Sequence, residues 1–108
     1  MPVYNKLVRD RIPEVIEKTG KAFRTDILNK EDYEEQLKVK LREEMGELLD
    51  AGKKEDIIEE MADLLEVVYA LGVIHDITPE EVETVRKRKQ NERGGFNDRI
   101  FLIDVEDE

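Results

Sequence analysis

Apolar residues recur at helical spacing through most of this chain, and turn-forming residues divide the pattern into separate elements. Pro13 and Gly20 predict a short first helix that ends near residue 19. Two long helices are predicted next, over residues 30–51 and 54–74, with Gly52 as the stop between them. Because the connection is so short, these two helices should form an antiparallel hairpin.

Capping signals set the remaining boundaries. Asn29 is a good N-cap for the first long helix, and Thr78-Pro79-Glu80-Glu81 is a capping box with proline at the first helical position. A third long helix is therefore predicted from Pro79 to about Arg93, where Gly94-Gly95 ends it. The tail from Arg99 to Val105 is expected to be extended.

These elements predict an all-α protein with one domain over residues 1–108. It would hold an arm and short helix (1–29), a helical core (30–93) and a tail (94–108), with the third long helix packed across the hairpin. One chain leaves several apolar residues partly uncovered: Val68, Leu71, Val73 and Ile74. We therefore expect an oligomer, whose symmetry the sequence does not give.

Four acidic residues interrupt the apolar faces of the hairpin: Glu44, Glu47, Glu60 and Asp63. Glu44 lies seven residues after Leu37 and three after Leu41, so it belongs to the apolar stripe itself. Glu60 stands four residues before Leu64 in the same way. An acid on such a face is unusual, because burying an unpaired carboxylate costs several kcal/mol.

The hairpin places these acids at matching heights. Glu44 lies eight residues before Gly52 and Glu60 eight after it, so each should sit roughly 12 Å from the turn. Glu47 and Asp63 each follow their partner by three residues, which keeps each pair close on its helix. Four clustered oxygen donors predict a Mg²⁺ site, with Mn²⁺ as an alternative ion. The competing interpretation is a buried salt-bridge network in which Lys38, Lys40 or a cation from elsewhere in the chain neutralises the acids.

Charge is distributed unevenly along the 108 residues, which carry a net charge of −10. Residues 1–30 hold seven Lys/Arg and four Asp/Glu, residues 31–83 hold five and eighteen, and residues 84–108 hold six of each. This layout suits a metal–phosphate ligand, although a solvated acidic surface would show it too. The acidity argues against a nucleic-acid partner. The lack of cysteine, of a signal-peptide pattern and of a long apolar run favours a cytoplasmic protein with no membrane partner.

The acidic motif also resembles a known family. Glu43-Glu44-Met45-Gly46-Glu47 and Glu60-Met61-Ala62-Asp63 match the pattern E-E-x-x-E…E-x-x-D of the all-α NTP pyrophosphohydrolase superfamily, which includes MazG-like and phosphoribosyl-ATP pyrophosphohydrolase-like enzymes. The segment from Val85 to Phe96 is similar to that family's K-x-x-x-N/R-x-R element. The resemblance covers most of the chain, and Tyr4 to Ile16 resembles the start of a small branch related to the phosphoribosyl-ATP group.

The resemblance implies an enzyme that hydrolyses a nucleoside triphosphate between its α and β phosphates, in a house-cleaning or metabolic role. It also implies a homodimer or homotetramer, in which oligomerisation completes a four-helix-bundle-like core. It implies Mg²⁺ ligation by the four acids Glu44, Glu47, Glu60 and Asp63, with Glu43 in a supporting place. It also implies triphosphate contacts from Lys87, Asn91 and Arg93, for which a solvated basic face is the alternative. Either Glu44 or Glu43 would accept the proton of the attacking water.

Other interpretations stay open at this stage. The substrate could be phosphoribosyl-ATP, and a non-catalytic helical oligomer with a regulatory role would share the same helices. His75, near a helix end, is expected to be structural rather than the base. For Lys6, Arg9 and Arg11 we favour a structural or intersubunit role over phosphate binding.

Overall fold

The computed structural model describes residues 2–107 and is all-helical, which confirms the predicted fold class. Within those residues there are four helices and no strand. They are α1 (Ile12–Glu17), α2 (Lys30–Asp50), α3 (Lys54–Ile74) and α4 (Pro79–Arg93). None of these helices is long and apolar enough to cross a membrane.

The helix starts lie where the capping residues predict them. The Asn29 side chain accepts a hydrogen bond of 2.8 Å from the backbone N–H of Asp32, which satisfies a donor left free in the first turn of α2. At α4 the Thr78 hydroxyl oxygen accepts from the N–H of Glu81 at 3.2 Å, and Pro79 follows as the first helical residue. Local side-chain chemistry therefore fixes both boundaries.

The two long helices pack against each other as an antiparallel hairpin. The chain leaves α2 at Ala51, whose backbone is extended (φ −68°, ψ 133°), and Gly52 does not adopt the left-handed conformation of a typical C-terminal cap. At the end of α4, Gly94 has φ 82° and ψ 179°, a backbone conformation that is open almost only to glycine. Gly52 therefore stands in the predicted turn without forming the predicted kind of cap.

The chain divides into two compact units. The first runs up to Asp76 and contains α1, α2 and α3; the second begins at Ile77 and contains α4 and the tail. Of the apolar residues between 2 and 107, only Leu37 on α2 and Val67 on α3 are buried. The single domain, the packing of α4 across the hairpin and the oligomeric bundle stay predictions.

Residues 2–11 form an N-terminal arm without regular structure ahead of α1. Within it Asn5 has φ 44°, in the left-handed region that asparagine tolerates better than most residues. The arm belongs to the same unit as the hairpin, and it contacts both long helices.

Candidate metal centre

Three of the four predicted metal ligands meet between the long helices. Glu44 and Glu47 lie one turn apart on α2, and Glu60 faces them from α3. One carboxylate oxygen from each lies within 4.8 Å of the others, so a single cation could touch all three. We call these residues the glutamate cluster. The hairpin thus brings Glu44 and Glu60 together as the count of residues from the turn predicts.

The glutamate cluster contains buried oxygens without partners. Glu44 is only 7% exposed, and it is the only buried charged residue in the described part of the chain. Its Oε2 and the Oε2 of Glu60 are both shielded from solvent, and neither has a hydrogen-bond partner among residues 2–107. An unsatisfied buried acceptor costs roughly 1–3 kcal/mol, and more when it is charged. Two such oxygens in one group of carboxylates therefore fit a hard cation better than a purely structural role.

The proton affinities of the cluster reflect this crowding. Burial raises the pKa of Glu44, and the neighbouring carboxylate of Glu47 raises it further. Desolvation, together with a hydrogen bond and charge repulsion from Glu47, raises the pKa of Glu60 to about 6. Without a cation, part of the cluster is thus protonated near pH 6. A divalent cation would displace those protons.

The fourth predicted ligand, Asp63, carries a partner of its own. Its Oδ1 accepts a hydrogen bond of 2.6 Å from the guanidinium of Arg9, which comes from the N-terminal arm. The negative charge of Asp63 still contributes to the raised pKa of Glu44 and of Glu60, which places it beside the cluster. Its role as a metal ligand stays a prediction.

Lysine neutralises the cluster only in part. The ammonium of Lys40 lies 3.6 Å from Glu44 and 3.7 Å from Glu43, so one positive charge is shared by two carboxylates. Lys38, the other candidate partner, is 3.5 Å from Glu35 instead. Salt bridges therefore supply two cations here, Lys40 and the Arg9 that pairs with Asp63. The four acids carry four carboxylates, and the charge of Lys40 is also shared with Glu43, so the compensation is incomplete.

The remaining residues singled out in the sequence belong to other segments of the chain. His75 stands at the end of α3 with its Nε2 3.4 Å from a carboxylate oxygen of Glu34. Lys87, Asn91 and Arg93 lie on α4 in the second unit. Arg93 also lines a cleft of about 220 Å³ formed with the residues that follow α4. Their contact with a triphosphate stays a prediction.

Comparison with known families decides the class of protein. Residues 4–90 match the phosphoribosyl-ATP pyrophosphohydrolase family, which is most of the chain. The chain belongs to this family. It is thus a pyrophosphohydrolase of the MazG-like all-α superfamily, a hydrolase acting on phosphoric anhydride bonds, as the acidic motif predicts. No curated protein and no solved structure matches the chain.

The extent of the phosphoribosyl-ATP pyrophosphohydrolase match bears on the site. It begins at Tyr4, so most of the N-terminal arm belongs to the family domain together with the hairpin. It ends at Gln90, which includes Lys87 but leaves Asn91 and Arg93 outside. Because the family domain includes most of the arm, the arm is a candidate part of the functional site although it has no regular structure.

Sequence reasoning missed how the arm joins the site. The contact between Arg9 and Asp63 links residues 54 positions apart, and no periodicity in an irregular segment could predict it. The available signal was the spacing of Lys6, Arg9 and Arg11, three cations near the start of a chain whose middle is strongly acidic.

Proposed function

We propose that this protein is a Mg²⁺-dependent nucleotide pyrophosphohydrolase that cleaves a nucleoside triphosphate between the α and β phosphates. The products would be the nucleoside monophosphate and pyrophosphate. The observation that carries the proposal is the glutamate cluster, with two buried and unpartnered oxygens, in a chain of a pyrophosphohydrolase family. The donor set consists of carboxylate oxygens alone, which Mg²⁺ and Mn²⁺ prefer.

Each residue of the site would have a defined task. Glu44, Glu47 and Glu60 would hold the cation, joined by Asp63. A bound divalent cation supplies charge compensation for the phosphate oxygens and lowers the pKa of a coordinated water. Lys87, Asn91 and Arg93 would contact the phosphates.

Glu43 is the better placed of the two candidate proton acceptors. Its side chain is about half exposed and shares the Lys40 ammonium with Glu44, so it stands next to the cluster without being enclosed by it. The oxygens of Glu44 would be committed to the cation. In the reaction a water oxygen would bond to a phosphorus of the α–β anhydride as the bridging P–O bond breaks. Glu43 would take the water proton, and pyrophosphate would leave.

Phosphoribosyl-ATP is the second candidate substrate, because the family is named for it. Purified protein should be incubated with Mg²⁺ and a panel of canonical, deoxy and modified triphosphates plus phosphoribosyl-ATP, and the products separated. We expect pyrophosphate from at least one of them, its loss in the Glu44→Gln variant and its retention in Glu66→Gln, an exposed acid on α3. Full activity of Glu44→Gln would refute the proposal. A helical oligomer without catalytic activity would release no pyrophosphate from any member of the panel.

We also propose that the protein is a homo-oligomer. Large apolar side chains on both long helices stay exposed in a single chain, including Leu49 (77% exposed), Ile58 (56%) and Val73 (67%). Such a surface favours association with a second copy through the helices. Analytical ultracentrifugation should show a mass at least twice the 12.7 kDa of the chain; a monomer at micromolar concentration would refute this part.

A further inference from the structure

A cleft of about 160 Å³ lies between the N-terminal arm and α2. Its walls include Tyr4, Asn5 and Lys6 from the arm, and Gln36, Lys40 and Glu43 from α2. Asn5, with its left-handed backbone, is flanked on both sides by residues that also line the cleft. Of the residues that line the cleft, only Glu43 already has a role in the proposed reaction.

The cleft adjoins the glutamate cluster. Lys40 belongs to both, since it lines the cleft and lies 3.6 Å from Glu44. The α2 residues that line the cleft come before Glu44 in the sequence. On α3, Asp63, which holds the arm through Arg9, comes after Glu60. Both directions lead away from the loop between the helices, so the arm borders the cluster on the side opposite that loop.

The lining of the cleft suits a phosphate group. Among the lining residues, Lys6 and Lys40 carry positive charges and Glu43 carries a negative charge. Lys40 shares its charge with Glu43 and with Glu44 of the cluster, so Lys6 is the main cation that the cleft offers to a ligand. The Lys6 ammonium lies 5.5 Å from the centre of the Tyr4 ring, a cation–π contact that holds it at the cleft wall. The side-chain amides of Asn5 and Gln36 add neutral hydrogen-bond donors.

The size of the cleft narrows the ligand further. Pockets for drug-sized molecules measure roughly 300–1,000 Å³, so about 160 Å³ is too small to enclose a nucleoside. It suits one or two phosphate groups. Ammonium groups bind phosphate well as point charges.

We propose that this cleft binds the pyrophosphate portion of the substrate, the part that leaves, with Lys6 and Lys40 as its cationic contacts. The proposal rests on the proposed function, but it is independent of which nucleotide is cleaved. It gives the N-terminal arm a direct part in the reaction: Arg9 fixes the arm to Asp63, and Lys6 then contacts the leaving group.

Pyrophosphate itself is the probe that tests this assignment. The full-length protein should be titrated with pyrophosphate in the presence of Mg²⁺ by isothermal calorimetry. Losing one charged hydrogen bond costs roughly 1.5–3 kcal/mol, so Lys6→Gln should weaken pyrophosphate binding by about tenfold or more. Lys6→Arg should restore most of it. Lys38→Gln is the matched control, because Lys38 lies on α2 outside the cleft and pairs with Glu35.

A second readout locates the ligand. Amide resonances of residues 5–7 and 39–40 should shift on addition of pyrophosphate, whereas those of residues 51–53, in the loop between α2 and α3, should shift less. The assignment is overturned if Lys6→Gln binds pyrophosphate as tightly as the unmodified protein, or if affinity depends on Lys87 but not on Lys6. It is also overturned if pyrophosphate does not bind at all.

Failure of this assignment can be told apart from failure of the proposed function. A protein that binds pyrophosphate through Lys6 but hydrolyses no nucleotide would keep the cleft and refute the enzymatic proposal. A protein that releases pyrophosphate from a nucleotide, yet binds it equally well with and without Lys6, would keep the enzyme and refute the cleft.

Discussion

Replacing Glu44 by glutamine removes the most enclosed carboxylate of the glutamate cluster while keeping its shape. In metal-free protein we expect no loss of thermal stability, since the substitution relieves charge repulsion with Glu47 and Glu60 and leaves Lys40 paired with Glu43. With Mg²⁺ present the variant should instead have a lower melting temperature than the unmodified protein. The unmodified protein gains stability by binding the ion only in its folded state, and the variant loses that gain.

The size of the effect follows from linkage. At a metal concentration ten times the dissociation constant, binding adds RT ln 11, about 1.4 kcal/mol. For a domain of this length 1 kcal/mol raises the melting temperature by roughly 4–8 °C, so Mg²⁺ should add about 6–11 °C. Changes to residues that merely support a metal ligand already cost 10–100-fold in affinity, and the loss of a direct ligand costs at least as much. If the Mg²⁺ affinity falls a hundredfold, the ion adds only about 0.06 kcal/mol to the free energy of unfolding, and the melting temperature rises by less than about 1 °C.

Differential scanning fluorimetry in EDTA measures the melting temperature of the metal-free proteins, and a series with increasing Mg²⁺ measures how far the ion raises it. Glu66→Gln is the control, because it removes the same charge from an exposed position of α3 and should keep the full Mg²⁺ response. Ca²⁺ and Mn²⁺ series would separate a fitted site from general screening of a chain with net charge −10. Equal Mg²⁺ shifts in the unmodified protein and in Glu44→Gln would refute the assignment of Glu44 as a ligand.

Two further predictions concern the same face of the hairpin. The pKa of Glu60 is raised from an ordinary 4.5 to about 6 in the folded protein, so between these pH values the metal-free folded protein binds more protons than the unfolded chain. Its free energy of unfolding should therefore fall as the pH rises from 4.5 to about 6. Glu60→Gln should flatten this fall in urea unfolding measured in EDTA at several pH values, and parallel curves for the variant and the unmodified protein would contradict the prediction. Arg9→Gln releases Asp63 from its ion pair and makes the surroundings of the cluster more negative, so the Mg²⁺ dissociation constant measured by calorimetry should fall severalfold. In EDTA the free energy of unfolding should change by at most about 1 kcal/mol, because the pair is exposed. Unchanged Mg²⁺ affinity would indicate that Asp63 does not reach the ion.

The fold was largely predictable because its boundaries depend on local chemistry. Asn29 and Thr78 each satisfy a backbone N–H within three residues, so the starts of α2 and α4 can be found without any tertiary information. The turn at Gly52 was predictable in position but not in conformation. The backbone at Ala51 is already extended, and this removes the need for a left-handed residue after it.

The site was predictable where helical geometry governs it. Eight residues on either side of Gly52 place Glu44 opposite Glu60, because two helices in a tight hairpin share one rise per residue. The contact from Arg9 to Asp63 depends instead on the path of an irregular arm, for which the sequence contains no periodic signal. The cleft beside Lys40 depends on that same path.

Keeping Glu44 in the apolar stripe of α2 works against the stability of the folded chain. A leucine there would continue the pattern of Leu37, Leu41 and Leu48 and would leave no unpartnered oxygen facing Glu60. A lysine partner does not remove the cost, since the charge of Lys40 is shared with Glu43. Local departures from an otherwise consistent pattern are expected at functional sites. We therefore infer that a bound cation compensates the clustered negative charges. If so, a divalent cation must raise the stability of this protein, and removing a water-exposed acid such as Glu66 must leave that increase unchanged.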